Sequence, residues 1–131
     1  QEVKEEFKQM EGDPKVKGKI RSLQQSMARS RMMQAVPDAD VIIRNPTHYA
    51  VALKYDIDHD NAPKVIAKGQ DLVALKIVEI GQQNKVTVIE NKPLARGLYA
   101  STPLGGQIPA EYYGVVAEIL VEIFRMNKKL V

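Results

Sequence analysis

An asparagine followed by a proline, set between two strand-like segments, constrains how this chain folds more than any other feature. Apolar residues dominate 41–43 before the pair and 49–55 after it, which predicts two β-strands. The connection between them contains Asn45, Pro46, Thr47 and His48. Proline fixes its own φ and pushes the preceding residue to extended angles, so this tetrapeptide favours a turn. The sequence therefore predicts a strand–turn–strand unit with an Asn–Pro bond in the turn.

The bond between Asn45 and Pro46 is also a candidate for self-cleavage. Deamidation of Asn45 needs the backbone N–H of the next residue, and proline has none. The remaining intramolecular route is attack of the Asn45 side-chain nitrogen on its own carbonyl carbon, which closes a succinimide and expels Pro46. His48 could supply or relay the proton that the leaving nitrogen needs, or it could only shape the turn. Thr47 is expected to hydrogen-bond locally. An ordinary Asn–Pro turn without chemistry is the alternative that the dipeptide alone leaves open.

The residues around this turn resemble a known family signature. The run ADVIIRNPTHYAVAL at 39–53 resembles that of the FlhB/YscU family, the self-cleaving switch proteins of bacterial type III export systems. KEEFKQMEGDP at 4–14, APKVIAKG at 62–69, PLAR at 93–96 and IP at 108–109 resemble further parts of the family pattern, in the same order. MMQAVP at 32–37 and GGQIP at 105–109 resemble the flagellar branch more closely than the injectisome branch. The resemblance therefore extends along nearly the whole chain.

The resemblance implies a function in protein transport and flagellum biogenesis. Asn45 would cyclise once, in cis, Pro46 would begin the downstream fragment, and the cut would accompany a switch in export substrate specificity. No cofactor, no metal and no activity on other molecules are expected. The implied partners are other export-gate proteins, export substrates and a hook-length-control-type switch protein. The chain is then expected to be an excised portion of a membrane protein, on the cytoplasmic face of the bacterial inner membrane.

The family resemblance also implies a shallow apolar patch that receives short hydrophobic segments of export substrates. The candidates for it are Ala62 and Pro63 in a turn, and Ala117 and Leu120 on a helix, where the spacing of three predicts a shared accessible edge. The alternative is that these four residues are plain core or loop.

Composition excludes several other kinds of site. The chain has no cysteine, so disulfides and thiolate metal sites are ruled out, and its two histidines argue against zinc. Aspartates alternate in the loop at 56–61, but the loop lacks the glycine and the closing glutamate of a calcium-binding EF-hand, so a solvated turn is expected. No segment approaches the roughly 20 apolar residues of a membrane span, and the charged N-terminus is unlike a signal peptide.

The first 36 residues are predicted to be a basic helical linker. Gly12, Asp13 and Pro14 interrupt any single helix, and apolar residues at helical spacing follow at Ile20 and Leu23. The chain carries a net charge of +3, and from 15 to 37 it has six basic residues and no acid. Such a run can be a solvated helix face, a membrane-surface contact or a nucleic-acid contact. The family's placement of this segment after the last membrane span favours lipid, and no nucleic acid is expected.

Residues 37–131 are predicted to form one compact α/β domain with a four-stranded mixed sheet surrounded by helices. The strands are expected at 41–43, 49–55, 64–67 and 86–89, and the second should be covered on both faces. Helices are expected at 70–83, 92–100 and 109–127. The first of these is expected to have Asp71 near its start and Gly81 near its end, and to turn its larger apolar residues largely inward, namely Leu72, Leu75, Ile77 and Ile80. The last is apolar nearly all round and should pack on the sheet through Val116, Ile119 and Ile123.

Three other functions compete with the leading interpretation. An injectisome homologue of the same family would carry the same turn. A small α/β hydrolase or transferase would need a Ser/His/Asp or Cys/His set, and no such set is recognisable. A basic adaptor that binds nucleic acid would rely on the basic run, but the rest of the chain has no aromatic platform for stacked bases.

Overall fold

The computed structural model describes residues 12–127 of the chain. It contains four helices, α1 (Pro14–Ala35), α2 (Leu72–Gln83), α3 (Lys92–Ser101) and α4 (Tyr113–Met126), and four strands, β1 (Val41–Asn45), β2 (Tyr49–Lys54), β3 (Lys64–Gln70) and β4 (Thr87–Glu90). Short 3-10 helices cover Val36–Asp38 and Ala110–Tyr112. The α/β class and all four predicted strands are confirmed. The chain divides into two compact units, with the boundary between Met32 and Met33.

The N-terminal unit consists of most of helix α1. Asp13 begins this helix, since its carboxylate accepts the Lys15 N–H at 2.8 Å and its carbonyl accepts the Lys17 N–H at 3.0 Å. Pro14 lacks an N–H and therefore suits the first helical position. The predicted interruption at 12–14 is confirmed. The predicted linker spans 1–36, and its residues 1–11 lie outside the described part of the chain.

The C-terminal unit is built on a mixed sheet with strand order β3-β2-β1-β4. Strand β1 pairs antiparallel with β2 and parallel with β4, and β3 joins antiparallel to the other side of β2. The two central strands are buried at 41–43 and 50–53, which confirms that β2 is covered on both faces. One face packs on α3 and α4 through Val41, Ile43, Val51 and Leu53. Helix α2 covers the other face, where Gly81 contacts Ile42.

Helix α2 buries a different stripe from the one that the sequence predicts. Leu72 is 81% exposed and Leu75 is 51% exposed, so the inward assignment of these two leucines is wrong. The buried positions are Ala74, Ile77, Val78 and Gly81. The sheet face beneath them is lined by small buried residues, Ala50, Ala52 and Ala67, so the helix backbone approaches closely and large side chains are turned away.

The end of α2 at Gln83 is the predicted one, whereas the helix starts two residues later than predicted, at Leu72. Gly81 lies near the end, as expected, and a Cβ at position 81 would collide with Ile42, so glycine serves close packing there. Asp71 does precede the first helical residue, but its side chain makes no capping hydrogen bond. Its backbone instead has φ 54° and ψ −120°, a region that side chains disfavour.

Helix α4 starts later than predicted and buries one residue that was expected to be accessible. The 3-10 helix Ala110–Tyr112 precedes it, because Pro109 occupies the extended capping position. Val116, Leu120, Ile123 and Phe124 are buried and Ile119 is half-buried. The expectation that Leu120 lies on an accessible edge is wrong, since only 3% of it is exposed. Within residues 12–127, no helix combines the length and apolar character needed to cross a bilayer.

Candidate functional site

The turn between β1 and β2 is tight and strained. Asn45 is the last residue of β1 and pairs directly with Tyr49, the first residue of β2. The His48 N–H donates to the Asn45 carbonyl oxygen at 3.0 Å, which closes a four-residue turn. Thr47 has a φ of 68° at the third position, after Pro46, which is the pattern of a type II turn. Glycine or asparagine usually occupies that position, and a β-branched residue there stores about 1–3 kcal/mol of strain.

Two other segments of the backbone anchor this turn. The Arg44 carbonyl, just before the turn, accepts the Asn91 N–H at 3.0 Å. Asn91 in turn caps α3, because its side-chain oxygen accepts the Leu94 N–H at 3.2 Å. The His48 carbonyl, on the other side, accepts the Asp71 N–H at 2.9 Å from the start of α2. Both arms of the hairpin are therefore attached to the beginnings of helices.

The turn places a hydrogen-bond donor on the Asn45 carbonyl oxygen. The His48 N–H polarises this carbonyl and would be in place to stabilise negative charge on its oxygen if a nucleophile attacked the carbon. Pro46 is half-buried, whereas Thr47 and His48 are exposed. Solvent therefore reaches the turn at Thr47 and His48. The four residues predicted from the sequence are consecutive in one turn, and no signal in the sequence identified Asp71 or Asn91 as its anchors.

A small cleft of about 110 Å³ lies beside this turn. The turn residues 44–47 and Tyr49 line one side of it, and Ala74, Leu75 and Val78 of α2 line the other. The Tyr49 ring lies 4.8 Å from the ring of Tyr99 on α3. The exposed Leu75 thus belongs to the surface next to the turn rather than to the core.

A larger apolar groove of about 280 Å³ runs between α4 and the β2–β3 connection. All four residues predicted for the apolar patch, Ala62, Pro63, Ala117 and Leu120, line it. Ala117 is exposed, whereas the other three are buried beneath the groove. Six further residues complete the lining, namely Tyr55, Ile57, Asn61, Tyr113, Val121 and Phe124. Of these, Ile57 carried a signal in the sequence, since it is a large apolar residue within an otherwise polar loop.

Carboxylates organise the loop that forms one wall of this groove. Asp60 accepts the Lys64 ammonium at 2.9 Å and the Asp56 N–H at 3.0 Å. The hydrogen bond from Lys64, followed by that from the Asp56 backbone, lowers the pKa of Asp60 below its ordinary value of 3.8. His59 Nδ1 lies 2.8 Å from an Asp56 carboxylate oxygen. The loop is therefore shaped by its own side chains. Within residues 12–127, no cluster of three or more His, Cys, Asp or Glu residues could hold a metal ion.

Comparison with known proteins assigns the family. The model of the FlhB HrpN YscU SpaS family matches residues 1–123. The chain belongs to the FlhB/YscU family. Members of the family that resemble it include the flagellar biosynthetic protein FlhB of Escherichia coli K12, 54% identical over 128 residues, and that of Bacillus subtilis 168, 49% identical over 130 residues. These matches cover 98% and 99% of the chain but 34% and 36% of the relatives, so the chain spans about a third of their length.

Solved structures of family members share the fold. The cytoplasmic domain of FlhB from Shewanella putrefaciens is 45% identical with a TM-score of 0.71, and the match covers 77% of this chain and 79% of that one. A mutated EscU C-terminal domain is 32% identical with a TM-score of 0.68, over 70% of this chain and 92% of that one. The four-stranded mixed sheet flanked by helices is therefore the fold of this part of the family.

Proposed function

We propose that this chain is the self-cleaving domain of a component of the flagellar type III protein export apparatus. It cuts the bond between Asn45 and Pro46 in a single turnover and thereby controls the switch in export substrate specificity. One observation carries the proposal: in a turn strained at Thr47, the His48 N–H is held on the Asn45 carbonyl oxygen at 3.0 Å. The higher identity to FlhB proteins, 54% in Escherichia coli against 32% for the EscU C-terminal domain, supports the flagellar assignment over the injectisome alternative.

The cleavage step rearranges bonds within one residue. The side-chain nitrogen of Asn45 bonds to the Asn45 carbonyl carbon, and the bond from that carbon to the Pro46 nitrogen breaks. The attacking nitrogen loses one proton and the Pro46 nitrogen gains one, so charge balances. The products are a succinimide at position 45, which water later opens, and Pro46 as a free secondary amine. The His48 side chain is one candidate carrier of the proton, and solvent at this exposed turn is the other.

Solved structures of EscU support these roles. Mutated EscU C-terminal domains include changes at an asparagine, at the proline that directly follows it and at a histidine two positions after that proline. Asn45, Pro46 and His48 have the same spacing in this chain. We therefore assign Asn45 as the cyclising residue, Pro46 as the leaving residue, and Thr47 and His48 as residues that shape or serve the turn.

The apolar groove is proposed as the site that receives export substrates. Its floor contains the buried Ala62, Pro63 and Leu120, and Ala117 lies exposed at its side. A preformed concave surface with few polar groups suits a short hydrophobic segment. The other proposed partners are export-gate proteins and a hook-length-control-type switch protein.

The proposed location is the cytoplasmic face of the bacterial inner membrane, where residues 1–36 connect the globular domain, 37–131, to an upstream membrane region. The solved FlhB relative is itself a cytoplasmic domain. Helix α1 would then lie near anionic lipid, and its basic residues between 15 and 31 suit that environment.

Intact-mass measurement and a denaturing gel test the cleavage. The purified chain is expected to separate into residues 1–45 and 46–131. Asn45→Ala removes the nucleophile and should leave one intact chain, and Pro46→Ala should slow or divert the cut. Asn127→Ala is the matched control, because it removes an exposed asparagine outside the turn and should cut as the wild type does. A fragment beginning at Pro46 from the Asn45→Ala protein would exclude the cyclisation mechanism.

A further inference from the structure

A chain of backbone hydrogen bonds connects the start of α2 to the scissile carbonyl. The Asp71 N–H donates to the His48 carbonyl at 2.9 Å, and the His48 N–H donates to the Asn45 carbonyl at 3.0 Å. His48 is therefore held at both ends of its backbone. A shift of its carbonyl away from Asp71 would move its N–H relative to the Asn45 oxygen, because both groups belong to the same short turn.

Asp71 can make this bond because it forms a one-residue connection. Strand β3 ends at Gln70, which pairs with Tyr49, and α2 begins at Leu72. The Asp71 carbonyl accepts the Leu75 N–H at 3.0 Å, the first bond of the helix, while its N–H extends the β2–β3 ladder to His48. One residue thus serves a strand and a helix at once, which requires an abrupt change in chain direction.

That change of direction forces Asp71 into unfavourable angles. Its φ of 54° and ψ of −120° belong to the region that glycine tolerates and side chains disfavour. The side chain does not explain the choice, since it is exposed and makes no capping bond to the helix. Strained backbone persists where the surrounding structure over-determines it, and such positions concentrate at functional sites.

We propose that Asp71 is a positioning residue for the cleavage between Asn45 and Pro46. Its backbone N–H, placed by these angles, holds the His48 carbonyl, and this keeps the His48 N–H aimed at the carbonyl oxygen on which negative charge would develop. The inference rests on the proposed self-cleavage. It adds a contribution from a second segment of the chain, the junction between β3 and α2, to a reaction that otherwise lies within one turn.

The test measures the half-life of the uncleaved 131-residue chain after cell-free synthesis, by denaturing gel. Asp71→Val places a β-branched residue where φ is positive, so the junction should relax and the His48 contact should loosen. We expect the half-life to lengthen about tenfold, because small misplacements of a catalytic donor carry large kinetic costs. Asp71→Gly keeps the N–H and tolerates these angles, so it should cleave with the wild-type half-life.

Lys85→Val is the matched control for loss of stability. Lys85 lies just beyond the other end of α2 with a φ of 62°, so valine there introduces the same kind of strain away from the turn. The melting temperature of this variant should fall by an amount similar to that of Asp71→Val, and its chain should keep the wild-type half-life for cleavage. Equal slowing by Lys85→Val and Asp71→Val would mean that general destabilisation slows the reaction, and would overturn the proposal.

Amide hydrogen exchange supplies a readout that does not depend on cleavage. In the uncleavable Asn45→Ala background, adding Asp71→Val should speed exchange of the His48 amide and leave exchange of the Asn84 amide unchanged. If the valine variant does not fold, the milder Asp71→Ala replaces it in this experiment. Where the wild type does cleave, two results would refute the role of Asp71: unchanged exchange of the His48 amide, or an Asp71→Val chain with the wild-type half-life. A wild type that never cleaves would instead refute the proposed function.

Discussion

Thr47 carries the clearest backbone strain within the turn, and removing that strain is expected to change both stability and chemistry. Thr47→Gly eliminates the cost of a β-branched side chain at a φ of 68°. After the entropic cost of glycine in the unfolded chain, the free energy of unfolding should rise by about 1 kcal/mol. Urea denaturation in the Asn45→Ala background measures this gain.

In the cleavable chain, Thr47→Gly should slow cleavage, because a relaxed turn releases less strain energy when the Asn45–Pro46 bond breaks. Thr47→Ala is the control, since it removes the hydroxyl and the branch but retains a side chain at positive φ. Stabilisation without any slowing would show that the strain at Thr47 does not contribute to cleavage.

Asp60 makes the stability of the molecule depend on acid. Its pKa is lowered in the folded state, chiefly by the Lys64 hydrogen bond, so its contribution to stability is present above the unfolded pKa. That contribution is lost as the pH falls through the folded pKa. Asp60→Asn should therefore lower the urea midpoint at neutral pH. When the pH is lowered below 3.8, this variant should lose less stability than the wild type does. Asp58→Asn, which removes a carboxylate from the same loop but leaves the Lys64 pair, should follow the wild-type pH profile.

The turn itself was predictable from the sequence, and the contacts that anchor it were not. The turn at Asn45 and Pro46 follows from the properties of proline alone. Positive φ at Thr47 and Asp71 runs against the preferences of both residue types, so no local pattern indicates it. The bond from Asp71 to His48 joins residues that are adjacent only because β2 and β3 pair.

At the scale of elements, α4 offers a direct test of the groove. Ala117→Asp adds a charge beside the apolar lining, whereas Val115→Asp adds the same charge to an exposed position of the same helix outside it. A charge facing an apolar ligand should cost about 1–3 kcal/mol, which is roughly 5- to 150-fold in affinity. With the chain exchanged into the E. coli relative, Ala117→Asp should reduce flagellar export and swimming, and Val115→Asp should not.

The Ala117→Asp protein should keep its melting temperature and should still cleave after Asn45. Equal swimming by the two aspartate variants would exclude the groove as a substrate site. Pro63→Asp probes the other wall, but Pro63 is buried and its carbonyl accepts the Ile108 N–H at 2.9 Å, so a loss of folding is the expected complication there.

Helix α1 is expected to associate with anionic membrane surfaces. It is 22 residues long, buries none of them, and exposes Ile20, Leu23 and Met27 at helical spacing together with its basic residues. Replacing Lys17, Lys19 and Arg21 by Glu should weaken vesicle binding by about 1 kcal/mol for each base removed. Replacing Lys54, Lys76 and Lys85 by Glu changes the net charge equally outside α1 and should bind nearly as the wild type does. Equal binding of the two triple variants to anionic vesicles would contradict a specific role of the α1 basic residues in membrane binding.

The burial pattern of α2 marks the limit of periodicity as a guide. Large apolar residues at 72, 75, 77 and 80 predicted a core stripe, yet the sheet face under α2 is lined with alanines and admits a close helix backbone. The side chains of the partner element decided which residues could face inward, and those partners were not identifiable before the strand order was known. The expected first-turn proline of α3 and the expected two-sided burial of β2 were both confirmed, and each was indicated by residues within its own segment.

Strand β2 connects the two candidate sites of the whole molecule. The turn after Asn45 leads into its first residue, Tyr49, and the groove begins with Tyr55 just past its last residue. Six steps of about 3.3 Å separate these two positions by roughly 20 Å. One buried strand therefore runs from the turn to the groove, and it would be the physical link between the proposed self-cleavage and the proposed choice of export substrate. The alternation of strands and helices predicted an α/β sheet. The parallel pairing of β1 with β4, and the placement of the turn and the groove at opposite ends of β2, were evident only from the topology.

The cut molecule is expected to stay assembled and to melt as a two-chain complex. Cleavage leaves β1 on the fragment 1–45, yet β1 lies in the middle of the sheet, paired with β2 on one side and β4 on the other. Its residues Val41, Ile42 and Ile43 are fully buried, and their burial does not depend on one peptide bond. Both fragments should therefore co-elute in equal amounts under native conditions and separate in denaturant. Because unfolding of the cut form releases two chains, its melting temperature should rise with protein concentration. The Asn45→Ala protein is the control, since one uncut chain should melt at the same temperature at every concentration. A concentration-independent melting temperature in fully cut protein would mean that β1 is not held by the sheet in the way its pairing indicates.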